Sequence, residues 1–295
     1  MSQYHKNAPF RIAEPGAVRS GRHRAAGADA GLEHLQRIVA AIGPSVVAFS
    51  GGVDSTLLLK VVHDRLGDQV LAVTAVSPSL SATERDAAAS LARAIGADHR
   101  VVETHEMDDP GYVANDGRRC YHCKRELFRA LRQLAPIAAG RALLYGAIPE
   151  DFGEDRPGLR AAAEAGVRAP LVEAGLTKEM IRDLARRFGL PNWDKPAMAC
   201  LASRLPINTP VTVEALARVD RAEAAVRALG YRQVRVRHHG PRARVEIDAA
   251  ELPRALSPPG GDGIRAAVRA AGYEQVEIDP RGYRPGGQID RHHGT

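Results

Sequence analysis

Short apolar runs alternate with segments of helical periodicity from residue 45 onward. The runs predict buried strands at Ser45–Phe49, Val70–Val76, His99–Glu103 and Ala142–Ala147. The periodic segments predict helices at Asp54–Leu66, Ser81–Ile95, Cys123–Leu134 and Thr177–Phe188, and Ser81-Ala-Thr-Glu84 has the form of a capping box. This alternation is typical of an α/β fold with a doubly wound, mostly parallel sheet, in which ligands bind beyond the carboxyl ends of the strands.

A second, smaller pattern follows along the chain. It predicts a helix at Thr212–Leu229, strands at Arg232–His238 and Arg242–Asp248, a helix at Gly263–Ala271 and a strand at Gln275–Asp279. These elements make a small αββαβ domain of the α+β class. We therefore expect a flexible arm over 1–30, a large domain over 31–205, a small domain over 206–287 and a flexible tail over 288–295, with the boundary inside Pro196–Pro210.

Composition places the chain among ordinary globular proteins. Its 295 residues are 44% apolar and 26% charged, which is typical of soluble domains with a core of their own. Nothing approaches about 18 consecutive apolar residues, and Met1–Gly31 has no apolar signal-peptide core. We expect a cytoplasmic protein with no membrane partner.

The net charge of +6 lies mainly in the two ends of the chain, since residues 1–30 carry five Lys or Arg against two acids and residues 281–295 carry three against one. One internal stretch differs, because Arg218–Val245 holds eight arginines against Asp220 and Glu223. Such a patch can bind a phosphate or a nucleic-acid backbone. A solvated helix face with strand edges explains the same composition.

The stretch Ser50-Gly-Gly-Val-Asp-Ser-Thr56 follows the first predicted strand and opens the first predicted helix. Glycines let the backbone approach an anion, and the N–H groups and dipole of the helix favour a phosphate there. Asp54 stands where an ordinary P-loop has lysine. An acid beside a polyphosphate fits Mg²⁺ between them, or a role in orienting the reacting groups. The alternative is a turn whose small residues serve packing alone.

Three cysteines in a cytosolic chain argue against a disulfide framework. Cys120-Tyr-His-Cys123 and the distant Cys200 leave four interpretations: unrelated buried thiols, a zinc site with His122, a redox pair, or three ligands of a 4Fe–4S cluster. Three thiolates on such a cluster leave one iron open for an exogenous sulfide. Beside a phosphate loop of this kind, the cluster is the interpretation we favour.

The Ser50–Thr56 loop resembles the PP-loop of the ATP pyrophosphatase superfamily, whose sheet is that of the adenine nucleotide alpha-hydrolases. The resemblance implies ATP and Mg²⁺ as cofactors. It implies that Ser50, Gly51, Gly52, Val53, Asp54, Ser55 and Thr56 grip the β- and γ-phosphates. A nucleophile then attacks the α-phosphate and pyrophosphate leaves.

Three further stretches resemble the LarE family of ATP-dependent sulfur transferases: Arg118–Phe128 (RRCYHCKRELF), Arg156–Pro206 (ending DKPAMACLASRLP) and Val234–Ile247 (VRVRHHGPRARVEI). The ending Ile278–Gly287 (IDPRGYRPGG) is also similar, so the resemblance covers about Gly31 to Gly287. It implies that a carboxylate of a pyridinium dicarboxylate mononucleotide is adenylated and converted to a thiocarboxylate for nickel-pincer cofactor biosynthesis, as in lactate racemase maturation.

The family has two branches that differ in the source of sulfur. In one, the cysteine matching Cys200 is a sacrificial donor that ends as dehydroalanine. In the other, cysteines matching Cys120, Cys123 and Cys200 hold an iron–sulfur cluster that passes on a bound sulfide. This chain has all three, so the resemblance implies the catalytic, cluster-holding branch.

Other residues acquire expected roles. Arg235 and Arg237 alternate on one predicted strand, so their side chains share a face and their forked guanidinium groups suit the phosphate of the mononucleotide. The resemblance suggests Glu223 and Glu246 as metal or substrate contacts, and Ser203 and Arg204 could orient the adenylate or substrate or only bond within their loop. Asp151 is a candidate Mg²⁺ ligand.

The sequence departs from the family at two places. Ala147-Ile-Pro-Glu-Asp151 keeps the acids of the family pattern but not its Asn. Leu205–Thr212 (LPINTPVT) replaces a more usual aromatic-Pro-Tyr-Gly-Thr pattern. We expect any role of that Asn to be lost here and the substrate edge to differ.

Expected partners are a small-molecule nucleotide, a sulfide donor and further copies of the chain in a homo-oligomer, with no nucleic acid. The rival interpretations are a PP-loop tRNA thiouridine synthase, an adenylating amide or NAD-type ligase, and a binding module that senses ATP. The nearly neutral body and the 4% aromatic content disfavour the tRNA enzyme, which needs aromatic stacking and phosphate contacts.

Overall fold

A computed structural model describes residues 21–134, 139–152, 157–196 and 199–284. The described residues form two compact units. The first comprises those within 21–77, 83–106 and 120–196, and the second comprises 78–82, 107–119 and 199–284. The segments 78–82 and 107–119, which fall inside the predicted large domain, thus cluster with the second unit.

The first unit is built on a four-stranded sheet. Its strands are β1 (Ser45–Ala48), β2 (Val70–Val76), β3 (Asp98–Glu103) and β4 (Ala142–Tyr145), in the order β3-β2-β1-β4. All three pairings are parallel. Helix α1 (Gly21–Ile42) precedes β1, and the crossover helices are α2 (Val53–Leu66), α3 (Ala82–Ile95) and α5 (Arg119–Arg132). Three more helices follow β4: α6 (Pro157–Glu164), α7 (Pro170–Glu173) and α8 (Lys178–Arg187).

Both faces of this sheet are covered by helices. Val47 packs in one core with residues of α1, α2, α3 and α8, while Val46 packs in another with residues of α5, α6 and α7. Adjacent residues of a strand point to opposite faces, so a run of consecutive apolar residues fills both cores. The predicted doubly wound parallel sheet is therefore confirmed.

The first helix corrects one expectation. Helix α1 begins at Gly21, so the predicted flexible arm is wrong for residues 21–30, and residues 1–20 lie outside the described part of the chain. Ala28, Leu35 and Val39 are buried in the core beside Leu32 and Ile42. This spacing of four and three residues is helical, but it is hidden in sequence by a stretch rich in Gly, Ala and Arg. The predicted tail, 288–295, also lies outside the described residues.

The second unit holds a smaller sheet. Helix α9 (Val213–Ala228) is followed by β5 (Val234–His239), β6 (Arg242–Ile247), α10 (Leu252–Leu256), α11 (Pro258–Ala270) and β7 (Gln275–Ile278). Strand β6 pairs antiparallel with β5 and parallel with β7. The αββαβ order is as predicted, with α10 as an additional turn of helix, and the core lies between the sheet and α9 and α11.

Residues 107–119, which include the short helix α4 (Pro110–Val113), join this second unit through specific bonds. Asn115 lies in left-handed backbone (φ 54°). Its side-chain Nδ2 donates to the carbonyls of Pro206 and Thr209, at 2.7 and 2.8 Å. No helix in the described part of the chain is long and apolar enough to cross a membrane.

Candidate active site

The glycine loop lies between β1 and α2, at the carboxyl edge of the parallel sheet. Gly51 has φ 68°, which favours glycine, and a Cβ atom there would lie 3.0 Å from Cα of Ala88 in α3. A Cβ on Gly146, just beyond β4, would lie 2.9 Å from the backbone nitrogen of Ser55. The loop is thus held closely between α3 and the end of β4, and both contacts require the absence of a side chain.

Hydroxyl groups fix the interior of the loop. Oγ of Ser55 donates to the Gly52 carbonyl at 3.1 Å and accepts from the Ser50 N–H at 3.3 Å. Oγ1 of Thr56 donates to the same carbonyl at 2.8 Å. No side chain caps the start of α2, and its preceding residue, Gly52, has extended backbone. The first-turn N–H groups therefore keep their capacity to bind an anion.

Asp54 is paired with a lysine that the sequence did not single out. Nζ of Lys178, the first residue of α8, lies 2.7 Å from each carboxylate oxygen of Asp54. The Lys178 backbone N–H donates to Oε1 of Glu150 at 2.8 Å, which ties the start of α8 to the segment after β4. Burial raises the pKa of Asp54, and the bond to Lys178 opposes that shift without cancelling it. A lysine is thus present at the loop, supplied by a distant helix.

Asp151 lies close enough to act on the same carboxyl, since its charge also raises the pKa of Asp54. Its Oδ2 accepts from the Ile148 N–H at 3.1 Å. Two carboxylates and a hydroxyl-rich loop have the oxygen chemistry that Mg²⁺ prefers. Within the described ranges, however, no three His, Cys, Asp or Glu side chains are arranged to hold a metal ion, so the ion stays a prediction.

Asn192 is a second residue that the sequence did not reveal. It is only 7% exposed, and its Nδ2 donates to the Gly51 carbonyl at 3.1 Å and to Oγ1 of Thr56 at 2.9 Å. A residue more than 130 positions away along the chain thus binds the loop. The Asn-Trp-Asp stretch around it carries no local signal of this contact.

The cysteines lie in different units. Cys120 and Cys123 are on α5, three residues apart and hence on one helix face, the first exposed and the second partly buried. Cys200 is exposed and immediately precedes the short 3-10 helix Leu201–Arg204 of the second unit. None of the three forms a disulfide within the described residues, and all three have access to solvent, as ligands of an incoming cluster or sulfur carriers need to be. The cluster itself remains a prediction.

Two of the expected substrate contacts prove to be buried structural groups. Arg204 and Glu223 are 1% and 0% exposed and form a two-point ion pair, at 2.8 and 3.0 Å. Glu223 also accepts from Arg227 and from the Val236 N–H. Although burial disfavours its charged form, these positive partners lower the pKa of Glu223. The carboxylate is fully engaged, so the expected metal or substrate contact at Glu223 does not fit.

Arg204 instead forms hydrogen bonds with the residues around Cys200. Its Nη1 donates to the carbonyls of Ala199 and Cys200 and to Oγ of Ser203. The alternative that Ser203 and Arg204 bond within their own loop therefore accounts for these contacts. Through Glu223, the guanidinium anchors the Cys200 segment to helix α9, so Arg204 is a positioning residue for that cysteine.

Arg235 and Arg237 are buried on β5, at 4% and 7% exposure. Arg237 donates to the Ser203 carbonyl at 3.0 Å and to Oε2 of Glu246 at 2.8 Å, while Arg235 stacks on the ring of Tyr283, 5.2 Å from its centroid. Burial and then the charge of Arg204 lower the pKa of Arg235. A bound anion beside Arg235 would favour the charged form of its guanidinium group. Glu246 already pairs with Arg237, so it has less capacity for the expected metal or substrate contact.

The fold and the loop define an α/β protein whose parallel sheet carries a glycine- and hydroxyl-rich turn at its ligand-binding edge. No family model matches the chain. Curated proteins do: it is 44% identical over 221 residues to an uncharacterised protein of Synechocystis, across 75% of this chain and 82% of that protein. An uncharacterised protein of Methanocaldococcus jannaschii is 26% identical over 69% of this chain and 77% of its own length.

The informative relative is the pyridinium-3,5-bisthiocarboxylic acid mononucleotide synthase of Lactiplantibacillus plantarum. It is 39% identical over 224 residues, which are 76% of this chain and 79% of that enzyme. The chain therefore belongs to the LarE family.

Proposed function

We propose that the protein is an ATP-dependent sulfur transferase. It adenylates a carboxylate of pyridinium-3,5-biscarboxylic acid mononucleotide and replaces AMP with sulfur to give a thiocarboxylate. The observation that carries the proposal is the 39% identity to a synthase named for the corresponding bisthiocarboxylic acid. The glycine loop, with its uncapped helix and close backbone packing, supports the ATP-dependent step.

The loop residues fit a departing pyrophosphate. In the proposed first step, a substrate carboxylate oxygen forms a bond to the α-phosphorus, and the bond from that phosphorus to the β-bridging oxygen breaks. Ser50, Gly51, Gly52 and the first turn of α2 present N–H and hydroxyl donors to the leaving oxygens. Lys178 is placed to neutralise charge beside Asp54, and Asp54 and Asp151 are the candidate Mg²⁺ ligands.

The second step is attack of a sulfur nucleophile on the acyl-adenylate carbonyl, with AMP leaving. Cys120, Cys123 and Cys200 would hold the 4Fe–4S cluster, which when bound supplies an exchangeable sulfide. Arg204 and Glu223 keep the Cys200 segment in place, and the forked guanidinium groups of Arg235 and Arg237 suit the phosphate of the mononucleotide. The sulfide donor and a homo-oligomeric assembly are further parts of the proposal.

The test combines Mg·ATP, the pyridinium dicarboxylate mononucleotide and anaerobically reconstituted protein with sulfide. We expect pyrophosphate release that depends on the substrate, and a thiocarboxylate detected by mass spectrometry over several turnovers. Pyrophosphate release with a single turnover and a dehydroalanine at Cys200 would replace the cluster with a sacrificial cysteine. No pyrophosphate release would refute the proposed function, and steeply salt-dependent tRNA binding would favour the thiouridine synthase.

A further inference from the structure

The residues after α8 contact the glycine loop through Asn192. The guanidinium of Arg182 donates to the carbonyls of Trp193 and Lys195, both at 2.9 Å, and so holds residues 191–196 against α8. Nζ of Lys195 pairs with Glu84 of α3 at 2.7 Å. Asn192 immediately precedes these attached residues, and its side chain is buried against the loop.

The orientation of the Asn192 amide follows from its partners. The hydroxyl of Thr56 gives its one proton to the Gly52 carbonyl, so its oxygen can only accept from Asn192. The Gly51 carbonyl can also only accept. Both contacts therefore require the NH₂ half of the amide, and the carbonyl half is left without a protein partner in the described part of the chain.

An unsatisfied buried carbonyl is unfavourable, so stability alone does not account for an amide at this place. The function of the amide lies in its two donated bonds. In a trans peptide the C=O and the following N–H point in opposite directions. Holding the Gly51 carbonyl on the Asn192 side therefore turns the Gly52 N–H to the other side, where its protein contact is a weak one to Oγ of exposed Ser50, at 3.4 Å.

We propose that Asn192 is a positioning residue that presets the glycine loop for the pyrophosphate leaving group. It fixes the Gly51–Gly52 peptide with one bond and the start of α2, through Thr56, with the other. The Gly52 N–H and the first-turn N–H groups of α2 are then directed at the phosphates before the nucleotide arrives. This inference rests on the proposed function, since it assigns a role in the adenylation step.

The decisive variants are Asn192→Asp, which keeps the shape but removes both donors, and Asn192→Ala, which removes the side chain. Trp193→Ala is the control, because Trp193 is the neighbouring residue, is 40% exposed and has its ring beside Arg186 of α8. The full-length protein is titrated with Mg·pyrophosphate by calorimetry. Initial rates of pyrophosphate release give KM for ATP and kcat, denaturant unfolding gives stability, and hydrogen exchange follows the peptide spanning residues 49–58.

We expect both Asn192 variants to bind Mg·pyrophosphate about ten- to a hundred-fold more weakly, which is the scale of two neutral hydrogen bonds. KM for ATP should rise and exchange in 49–58 should accelerate, while the Trp193→Ala protein resembles wild type. Wild-type affinity in both Asn192 variants would overturn this inference and leave the proposed function intact. Failure of the wild type itself to bind pyrophosphate would overturn both.

Discussion

The pairing of Asp54 with Lys178 leads to a prediction about both stability and pH. Each side chain is partly shielded, with 24% and 31% of its surface exposed, and the lysine reaches both carboxylate oxygens. Burial already disfavours the charged form of Asp54, and Lys178→Ala removes the largest influence that favours that form. The variant therefore leaves a poorly compensated negative charge beside Asp151.

The expected loss follows from the geometry. Exposed ion pairs contribute about 0–1 kcal/mol, and hydrogen bonds to charged groups about 1.5–3 kcal/mol. For a pair at this exposure we expect Lys178→Ala to lower the free energy of unfolding by about 1–2 kcal/mol near neutral pH. In a double-mutant cycle with Asp54→Asn, we expect a coupling energy of about 1 kcal/mol, because a neutral amide at position 54 does not require the positive charge of Lys178.

The pH dependence has a defined sign. Folding raises the pKa of Asp54 above its ordinary value of 3.8, so its contribution to stability is full below that value and is lost as the pH rises through the folded-state pKa. Without Lys178 the pKa of Asp54 rises further. The deficit of the Lys178→Ala protein should therefore shrink as the pH falls toward 3.8, where Asp54 becomes protonated in the variant.

Urea unfolding of the wild type, both single variants and the double variant, at neutral and acidic pH, measures these quantities. Lys60→Ala is a matched control, because Lys60 also pairs with an aspartate, Asp64, on the exposed side of α2. A coupling energy indistinguishable from zero, or a deficit that grows on acidification, would refute the reasoning.

Three further outcomes follow from the site. Gly51→Ala forces a side chain into left-handed backbone against Ala88. It should lower the free energy of unfolding in urea by about 1–3 kcal/mol and abolish nucleotide binding measured by calorimetry. Gly43→Ala is the control, because Gly43 also has left-handed backbone but open space around it, so this variant should lose only stability. Glu223→Gln leaves Arg204 without its counter-charge and should cost about 3–5 kcal/mol, against little for exposed Glu179→Gln. Cys200→Ala should retain pyrophosphate release but form no thiocarboxylate; unchanged sulfur transfer would exclude Cys200 from the chemistry.

The elements of the fold were predictable because their signals are local. Buried parallel strands are continuous apolar runs such as Val70–Val76, and helix starts have caps such as Thr177 and Thr212, whose hydroxyls accept from Met180 and Ala215. Strand and helix ends differ from the prediction by a few residues at most in the first sheet. Helix α1, in a Gly- and Ala-rich stretch, was not predicted at all, and neither were the short helices α6 and α7.

The candidate site was less predictable because its contacts are distant in sequence. The loop itself could be located from its glycines and hydroxyls, but Lys178 and Asn192 reach it from 124 and 136 residues away, respectively. Likewise, eight arginines in one stretch indicate an anion site, yet nothing local distinguishes Arg204 and Glu223 as a buried pair from residues that face a ligand. Only the tertiary structure assigns a partner to each charge.

The way the chain is shared between its two units has a consequence for how the protein is made. The polypeptide passes from one unit to the other five times, near residues 77, 82, 106, 119 and 197. During synthesis, residues 78–82 and 107–119 leave the ribosome long before the strands β5 to β7 that complete their unit. Neither unit corresponds to a continuous fragment, so truncation at residue 205 would divide one of them. Folding to completion is therefore expected to be late, non-local and slow relative to that of a chain of two consecutive domains.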